Sequence, residues 1–409
     1  MTTCIQSEIN QWVADTFKEN QFKDLSAEIV GTSEQGEGYL GNITFAKVTG
    51  VPFSGKAKEF HVVIKSEKRG DGTTNLSPVQ LAYERENFFY DKAVPAFQEI
   101  EKKYGINITQ QLFPKCFSTL SYEDQQLIVL QNLKSLDFEL YDRHQPFDME
   151  HLKVTLSNYG KFHALSLAYR EHKPKEFKEL FSGLPCAMKN IIELTKNSVD
   201  AAEKCLYMML EENQKFKAAE KLKELLPDGV TAKIQQMLRI QEHEENAVLV
   251  HGDCWNNNYM FKYPKQEKTL PESVKFLDFQ VTKLSSPVMD LSYHIYATAS
   301  EKELAQLKEL LQIYYSSLSS MLKKLGCDPE KVFPYEELIR QWKKYSCFGF
   351  AMSSFVLQIV LLEKEDTIDI EAMGGENVTA NMLKSNNSLN KIYSRLSALV
   401  EHYLEFDDF

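Results

Sequence analysis

The sequence predicts an α+β protein of two lobes: a small antiparallel β-sheet lobe with one main helix, then a larger, mainly helical lobe. Three observations carry that expectation. Short runs rich in β-branched and aromatic residues, separated by glycine-bearing turns, crowd the first part of the chain. Helical periodicity dominates beyond Leu133. The length, 409 residues, exceeds the roughly 250–300 at which single cores stop growing. The expected division is 1–133, a nucleotide-binding lobe on the reading developed below, and 134–409, which would hold the catalytic and acceptor groups.

Each element follows from its pattern. Ile5, Ile9, Trp12, Val13 and Phe17 recur at helical spacing and predict an amphipathic N-terminal helix. "EIVGTS", "NITFAKVTG" and "EFHVVIKSE" read as an antiparallel meander. A helix is expected from about Ser77, with Pro78 in its first turn, through "VQLAYERENFFYDKAVPAF" and ending near Pro95. "LFPKCFSTL" and "QQLIVLQNL" bring the strands to five. The second lobe opens with the stripe of "MEHLKVTLSNYGKFHALSLAYREH", and "SVDAAEKCLYMMLEENQKFKAAEKLKELL" and "VTAKIQQMLRIQEH" follow. A β interruption comes at "AVLVHGD", "YMFKY" and "VKFLDFQ", and then helices resume to the end. "DTIDIEAMGGENV" reads as a flexible loop.

Composition narrows the function. Hydrophobic residues at 43% and charged residues at 26% describe an ordinary globular chain. A net charge of −11 argues against a general nucleic-acid or anionic-membrane surface, yet leaves room for a local basic site for nucleotide phosphates. The uncharged "CFGFAMSSFVLQIVLL", Cys347 to Leu362, falls short of the ~20 residues of a membrane span and is expected as a buried helix. Seven scattered cysteines without a CxxC pair predict reduced thiols, with neither a disulfide frame nor a zinc site. The first residues lack the apolar core of a signal peptide. Together these features predict a cytoplasmic protein, and the sequons at Asn42 and Asn107 then read as chance matches.

Phosphoryl transfer needs a group to orient the acceptor hydroxyl, oxygen ligands for Mg²⁺ and a cation on the nucleotide phosphates. The chain has a candidate for each. Asp253 follows the apolar "AVLV" and is expected at a strand end, with Asn258 five residues on, where its amide oxygen suits a hard cation. Asp278 ends "VKFLDFQ" and would face the same cleft. Lys65 lies on the strand "HVVIKSE", ahead of a helix that carries Glu84 and Glu86, either of which would hold its ammonium. An isolated strand lysine is more often an exposed edge residue. "GEGYLG", Gly36 to Gly41, is formally GxGxxG; a plain hairpin turn is its default reading, and its place between two strands favours a phosphate cover over a dinucleotide fingerprint.

With these residues in view, the chain resembles the ecdysteroid kinase-like family, also called CHK kinase-like, within the wider choline kinase and aminoglycoside phosphotransferase group. "HGDCWNNNYMF" matches that family's HGDxWxxNxxF and "FLDFQ" its DFQ, while "SPVMDL", "KFHALS" and "YERENFFY" fall in the expected order. The resemblance runs from about Leu25 to Leu404. It implies a bilobal protein-kinase-like fold and transfer of phosphate from ATP, with Mg²⁺, to the hydroxyl of a small-molecule alcohol. Carried over by position, Asp253 is the catalytic aspartate, Asn258 and Asp278 are metal ligands, Lys65 is the phosphate lysine and Glu86 its partner. Gln131, Asn132 and Leu133 would present backbone groups to adenine, and Gly36 and Gly38 belong to the phosphate loop. Two departures stand out: Gln131 occupies a place that is usually acidic, and Gly38 and Gly41 replace the usual GxNYxS pattern.

Blander readings compete at other positions. His251 and His163 are expected to pack and hydrogen-bond rather than act as bases. Asp290 would cap the following helix or brace the catalytic loop. Trp255 would line the acceptor pocket or wedge the loop. Nothing marks Cys254 as an activated thiolate, and Asn256 and Asn257 are expected to satisfy the loop or face solvent. Phe348, Phe350 and Phe355 would shape a pocket for a hydrophobic acceptor or simply fill the lobe core. The leading expectation is a kinase of an ecdysteroid or another hydrophobic alcohol. Its rivals are a kinase fold that binds without transfer, and a metal-dependent hydrolase at His251 and Asp253, for which the neighbouring ligands are missing.

Overall fold

The computed structural model describes residues 6–18, 22–32, 41–53, 55–67, 78–123, 125–240, 244–264, 269–362 and 386–405. Five strands, β1 (Phe22–Thr32), β2 (Gly41–Pro52), β3 (Lys58–Glu67), β4 (Cys116–Tyr122) and β5 (Gln125–Gln131), pair antiparallel in the order β1-β2-β3-β5-β4. The two-residue period of a strand gives this sheet two distinct faces. Ala46 and Val48 of β2, Val62 and Ile64 of β3, and Leu127 and Val129 of β5 bury against Ile9, Trp12, Val13 and Phe17 of the helix Gln6–Phe17. Their neighbours Ile43, Phe45, Val63 and Lys65 therefore point the other way, where they line the central cavity.

The main helix of this region departs from expectation. Helix Pro78–Phe88 passes into a five-residue π-helical segment, Phe89–Ala93, and continues as helix Val94–Tyr104 instead of ending near Pro95. Pro95 stands in the first turn of that second helix, directly after the π segment, whose helical path runs on without a break. The chain leaves the helix only at Gly105, whose φ is 65°. The wider π turn also delivers Phe89 to the middle of the molecule, a position used by the site below.

Beyond residue 131 the architecture is mainly helical, as expected. Helix Met149–His172 starts at Asp148, whose side chain accepts from the His151 N–H, and packs along helix Leu307–Lys324. The long pattern beginning at Ser198 forms two helices, Lys196–Glu212 and Phe216–Leu225, separated at Gln214 by a φ of 60°. The uncharged stretch is the buried helix Cys347–Val360, and among the described residues no helix is long and apolar enough to cross a membrane. It lies on helix Pro287–Thr298 so closely that a Cβ on Gly349 would stand 2.2 Å from the carbonyl carbon of Ser292. Only glycine permits that approach.

The β interruption is richer than its pattern. Besides β7 (Val248–Val250), β8 (Tyr259–Lys262) and β9 (Ser273–Phe276), two three-residue strands appear, β6 (Phe138–Leu140) and β10 (Lys283–Ser285). They complete a three-stranded sheet, β6-β8-β9, and an antiparallel pair, β10-β7. Three residues carry too little periodicity to announce a strand. The expected loop at 366–378 and the glycines Gly36 and Gly38 lie outside the described residues.

Candidate active site

The polar loop after β7 is built around one buried carboxylate that is not its own. Asp290, in the first turn of helix Pro287–Thr298, accepts from the backbone N–H of His251 at 2.7 Å and of Gly252 at 2.8 Å, and from the Cys254 thiol at 3.2 Å. His163 sits 3.1 Å away on its remaining side. Burial works against the charge of Asp290, but the hydrogen bond and charge of His163, with the loop N–H, hold its carboxyl below the usual range. The cap of that helix is Ser286, so Asp290 is free to brace the loop. Gly252 has a φ of 89°, and a Cβ there would meet the Val281 carbonyl oxygen at 2.9 Å. His251 is wholly buried, with Nε2 2.7 Å from the Leu277 carbonyl oxygen and Nδ1 accepting from the Asp253 N–H at 3.2 Å. Its ring is spent on holding two loops together, the bland reading of its role.

Asp253 stands three residues beyond the end of β7, farther from the strand than expected, because the loop must turn at Gly252 first. Its Oδ2 accepts from the Trp255 indole N–H at 3.0 Å and the Asn258 amide at 2.9 Å, and Oδ1 accepts from the Tyr293 hydroxyl at 3.2 Å. Burial, and then the charge of Asp278, push its carboxyl above the usual range. Residues Asn256–Asn258 form a single 3₁₀ turn, and the Asn258 carbonyl accepts from the Leu277 N–H at 2.9 Å. That bond ties the two polar motifs together. Asn256 donates to the Gln145 carbonyl, whereas Asn257 lines the cavity.

Asp278 follows β9 by two residues with a φ of 68°, a strained value for a non-glycine residue. Its Oδ1 lies 2.9 Å from the Lys65 ammonium, which is also 2.5 Å from Oε2 of Glu86. Glu86 rather than Glu84 makes this contact. Burial alone would lower the Lys65 ammonium, but Asp278 and Glu86 outweigh it and raise it well above its ordinary value. Burial pushes Glu86 up, and the Lys65 charge opposes that. Phe279, next to Asp278, stacks on Phe89 with ring centroids 3.6 Å apart and sits 4.5 Å from the His251 ring. The π turn thus anchors the second motif to the main helix.

Lys65, Glu86, Asp253, Asn258 and Asp278 all line one cavity, with Gln131, Asn132 and Leu133 along its edge. The N–H groups of Gln131 and Asn132 are already engaged by the Lys115 and His61 carbonyls, each at 2.8 Å, and the Asn132 carbonyl accepts from Ser135. The rest of the lining is largely apolar. Helix Ala187–Leu194 contributes Met188, Ile191 and Ile192, and helix Cys347–Val360 contributes Met352, Phe355, Val356, Ile359 and Val360. Both sets recur at three- and four-residue spacing, so each is one helical stripe. Of the three phenylalanines considered, only Phe355 reaches the cavity. Phe348 packs edge-on against Tyr293, and Phe350 stacks on Tyr403 at 4.3 Å, both in the core.

The ecdysteroid kinase-like family matches residues 35–327 of this chain, more than half of it. The chain belongs to that family. The match is shorter at both ends than the span from Leu25 to Leu404 expected from the motifs. Similar solved structures include an aminoglycoside 3'-phosphotransferase of type VIII, at 13% identity and a TM-score of 0.33, over 84% of this chain and 98% of that one. A macrolide 2'-phosphotransferase from Brachybacterium faecium is 12% identical over 93% of this chain and 99% of its own, with a TM-score of 0.36. A GDP complex of an aminoglycoside 2'-phosphotransferase is 13% identical over 92% and 100%, with a TM-score of 0.37. Likeness this distant carries no conclusion about activity. No curated protein matches the chain.

The family match covers every polar residue of the cavity named above, but not the helix Cys347–Val360. That helix was expected to offer a pocket through its phenylalanines; Met352, Val356, Ile359 and Val360 on it, the Met188–Ile192 stripe and Tyr293 are the cavity residues that sequence reasoning missed. The signal was present for the helices, as a stripe of Met, Ile and Val at helical spacing, but a stripe facing a cavity reads the same as one facing a core.

Proposed function

We propose that this chain transfers the γ-phosphoryl group of ATP to a hydroxyl of an uncharged, largely apolar small-molecule alcohol. One observation carries the reading: Asp253 and the Lys65–Glu86–Asp278 cluster open into a single cavity that two apolar helical stripes also line. In this reading residues 1–133 hold the nucleotide and 134–409 the acceptor. Lys65, steadied by Glu86, meets the α/β-phosphates, and Gly36 and Gly38 belong to the loop that covers them. At the linker, Gln131 and Asn132 have spent their N–H groups on the sheet, which leaves the Leu133 N–H as the candidate donor to adenine. Asp253 orients the acceptor hydroxyl and takes its proton.

A divalent cation fits the residues present. Three carboxylates, Glu86, Asp253 and Asp278, line the cavity with two ammonium groups, Lys65 and Lys134, an excess of negative charge that a cation offsets. Asn258 turns its amide nitrogen to the Asp253 carbonyl and Oδ2, so its Oδ1 is available as a neutral oxygen ligand. Among the described residues no cluster of three or more His, Cys, Asp or Glu could hold a metal alone. Two protein oxygens completed by phosphates and water match the habits of Mg²⁺. When bound, Mg²⁺ supplies charge neutralisation on the β- and γ-phosphates. Asn258 and Asp278 are the residues that would hold it.

The apolar wall supports an acceptor of the steroid kind over a cationic one. Among the described residues, its two helices contribute no charged group to the cavity. The family name points to an ecdysteroid hydroxyl. Helix Cys347–Val360 lies outside the family match, whereas the Met188–Ile192 stripe lies within it. The test is transfer of labelled phosphate from Mg·ATP to a panel of steroid and plant-derived alcohols, with a polycationic aminosugar alongside. Transfer to an apolar alcohol and none to the aminosugar is the expected result. Calorimetric binding of Mg·ATP with no transfer to any acceptor would favour the non-catalytic binder.

A further inference from the structure

Asp253 has four lone-pair sites, two on each oxygen, and the structure distributes its donors unevenly. Oδ2 takes two, the Trp255 indole N–H and the Asn258 amide, at 3.0 and 2.9 Å. Oδ1 takes one among the described residues, the Tyr293 hydroxyl at 3.2 Å. We infer that Trp255 and Tyr293 are positioning residues that leave Oδ1 as the working oxygen, so that the acceptor hydroxyl docks there, against Tyr293. The inference rests on the kinase reading above and adds which oxygen works and what fixes it.

The surroundings support this assignment. Tyr293 is 1% exposed yet lines the cavity, and Trp255 lines it too. Tyr293 comes one turn after Asp290 on the same helix, so one face of that helix sets both the backbone of the loop, through Asp290, and the carboxylate, through Tyr293. That helix is itself fixed where Gly349 meets it: a Cβ on Gly349 would stand 2.4 Å from the Tyr293 nitrogen. Gly349 lies on the helix that carries the apolar stripe Met352–Val360. The acceptor wall and the working oxygen are thus registered to one another through Tyr293. In the transfer, the alcohol oxygen bonds to phosphorus as the bond from phosphorus to the ADP oxygen breaks. The electron pair stays on ADP, and the hydroxyl proton passes to Oδ1.

The experiment uses the full chain, Mg·ATP and the best alcohol of the panel, with Tyr293→Phe, Trp255→Phe and the double variant. Each single change is expected to lower kcat about tenfold or more with both KM values nearly unchanged, the mark of a lost transition-state interaction. The double variant should fall by less than the product of the singles, because both act on one carboxylate. Unchanged kcat with a raised acceptor KM would overturn the inference and make the two residues mere wall. Multiplicative losses would overturn the shared target. Should Tyr293→Phe fail to fold, Trp255→Phe, a change at a half-buried residue, carries the kcat test by itself. A wild-type chain that transfers to no acceptor defeats the kinase reading and this inference together; an active wild type with equally active variants defeats only this inference.

Discussion

The two sides of the cavity are built by different physics. The polar side is a set of paired charges and amides, each held by a named bond: Lys65 between Glu86 and Asp278, and Asp253 beneath Trp255, Asn258 and Tyr293. The apolar side has no such bonds, only Met188, Ile191 and Ile192 facing Met352, Phe355 and their neighbours across the space. A hydrogen bond fixes an atom to a few tenths of an ångström, whereas an apolar wall fixes only a shape. On the proposed reading, chemistry belongs to the first side and selection of the acceptor to the second.

The sharpest way to break the comparison is Asp253→Ala. Transfer to any acceptor should drop by about 10²–10⁴-fold, with Mg·ATP binding retained in calorimetry. Full activity in that variant would end the assignment. Next in size is Asp290→Ala, which strips the partner from two loop N–H groups and from His163 in a fully buried place. Urea unfolding should show a loss of about 3–5 kcal/mol. A loss under ~1 kcal/mol would mean that the loop does not depend on its brace.

The apolar side should answer differently. Ile191→Ala and Val356→Ala, both at half-buried positions facing the cavity, should each weaken acceptor binding by about 1 kcal/mol while kcat and nucleotide affinity hold. A fall in kcat with acceptor affinity unchanged would erase the distinction between the sides. The smallest expected effect concerns acid. The Asp290 carboxyl lies below its ordinary value in the folded chain, so its contribution is present above about pH 4, the unfolded value, and is lost as pH falls through the folded one. The stability gap between wild type and Asp290→Asn, followed by urea midpoints, should be constant near neutrality and shrink below about pH 4. A gap that widens in acid would contradict the assigned direction.

Much of this was legible in the residues. Alternation along "NITFAKVTG" and "HVVIKSE" announced the sheet and put Lys65 on one of its faces, because a strand has only two. The spacing from Asp253 to Asn258 announced a turn that brings both side chains to one place, and Asn258 does reach Asp253. Other signals were absent for physical reasons. Pro95 looked like a stop because a proline breaks helix interiors, but the helix runs on past it through a π segment placed just before it. β6 and β10 hold three residues each, too few for any period.

The sequence by itself determined most of the elements, the order of a β-rich region before a mainly helical one, and most of the polar groups of the cavity, since local periodicity and residue chemistry are properties of neighbours in the chain. Only the tertiary structure decided which face of helix Cys347–Val360 lines the cavity, with Phe355 turned to it and Phe348 and Phe350 to the core. It also decided that Tyr293, forty residues from Asp253, would rest on its carboxylate. Those outcomes depend on how helices from distant parts of the chain cross, as at Gly349, and an apolar stripe carries no mark that tells a neighbouring helix from an empty space.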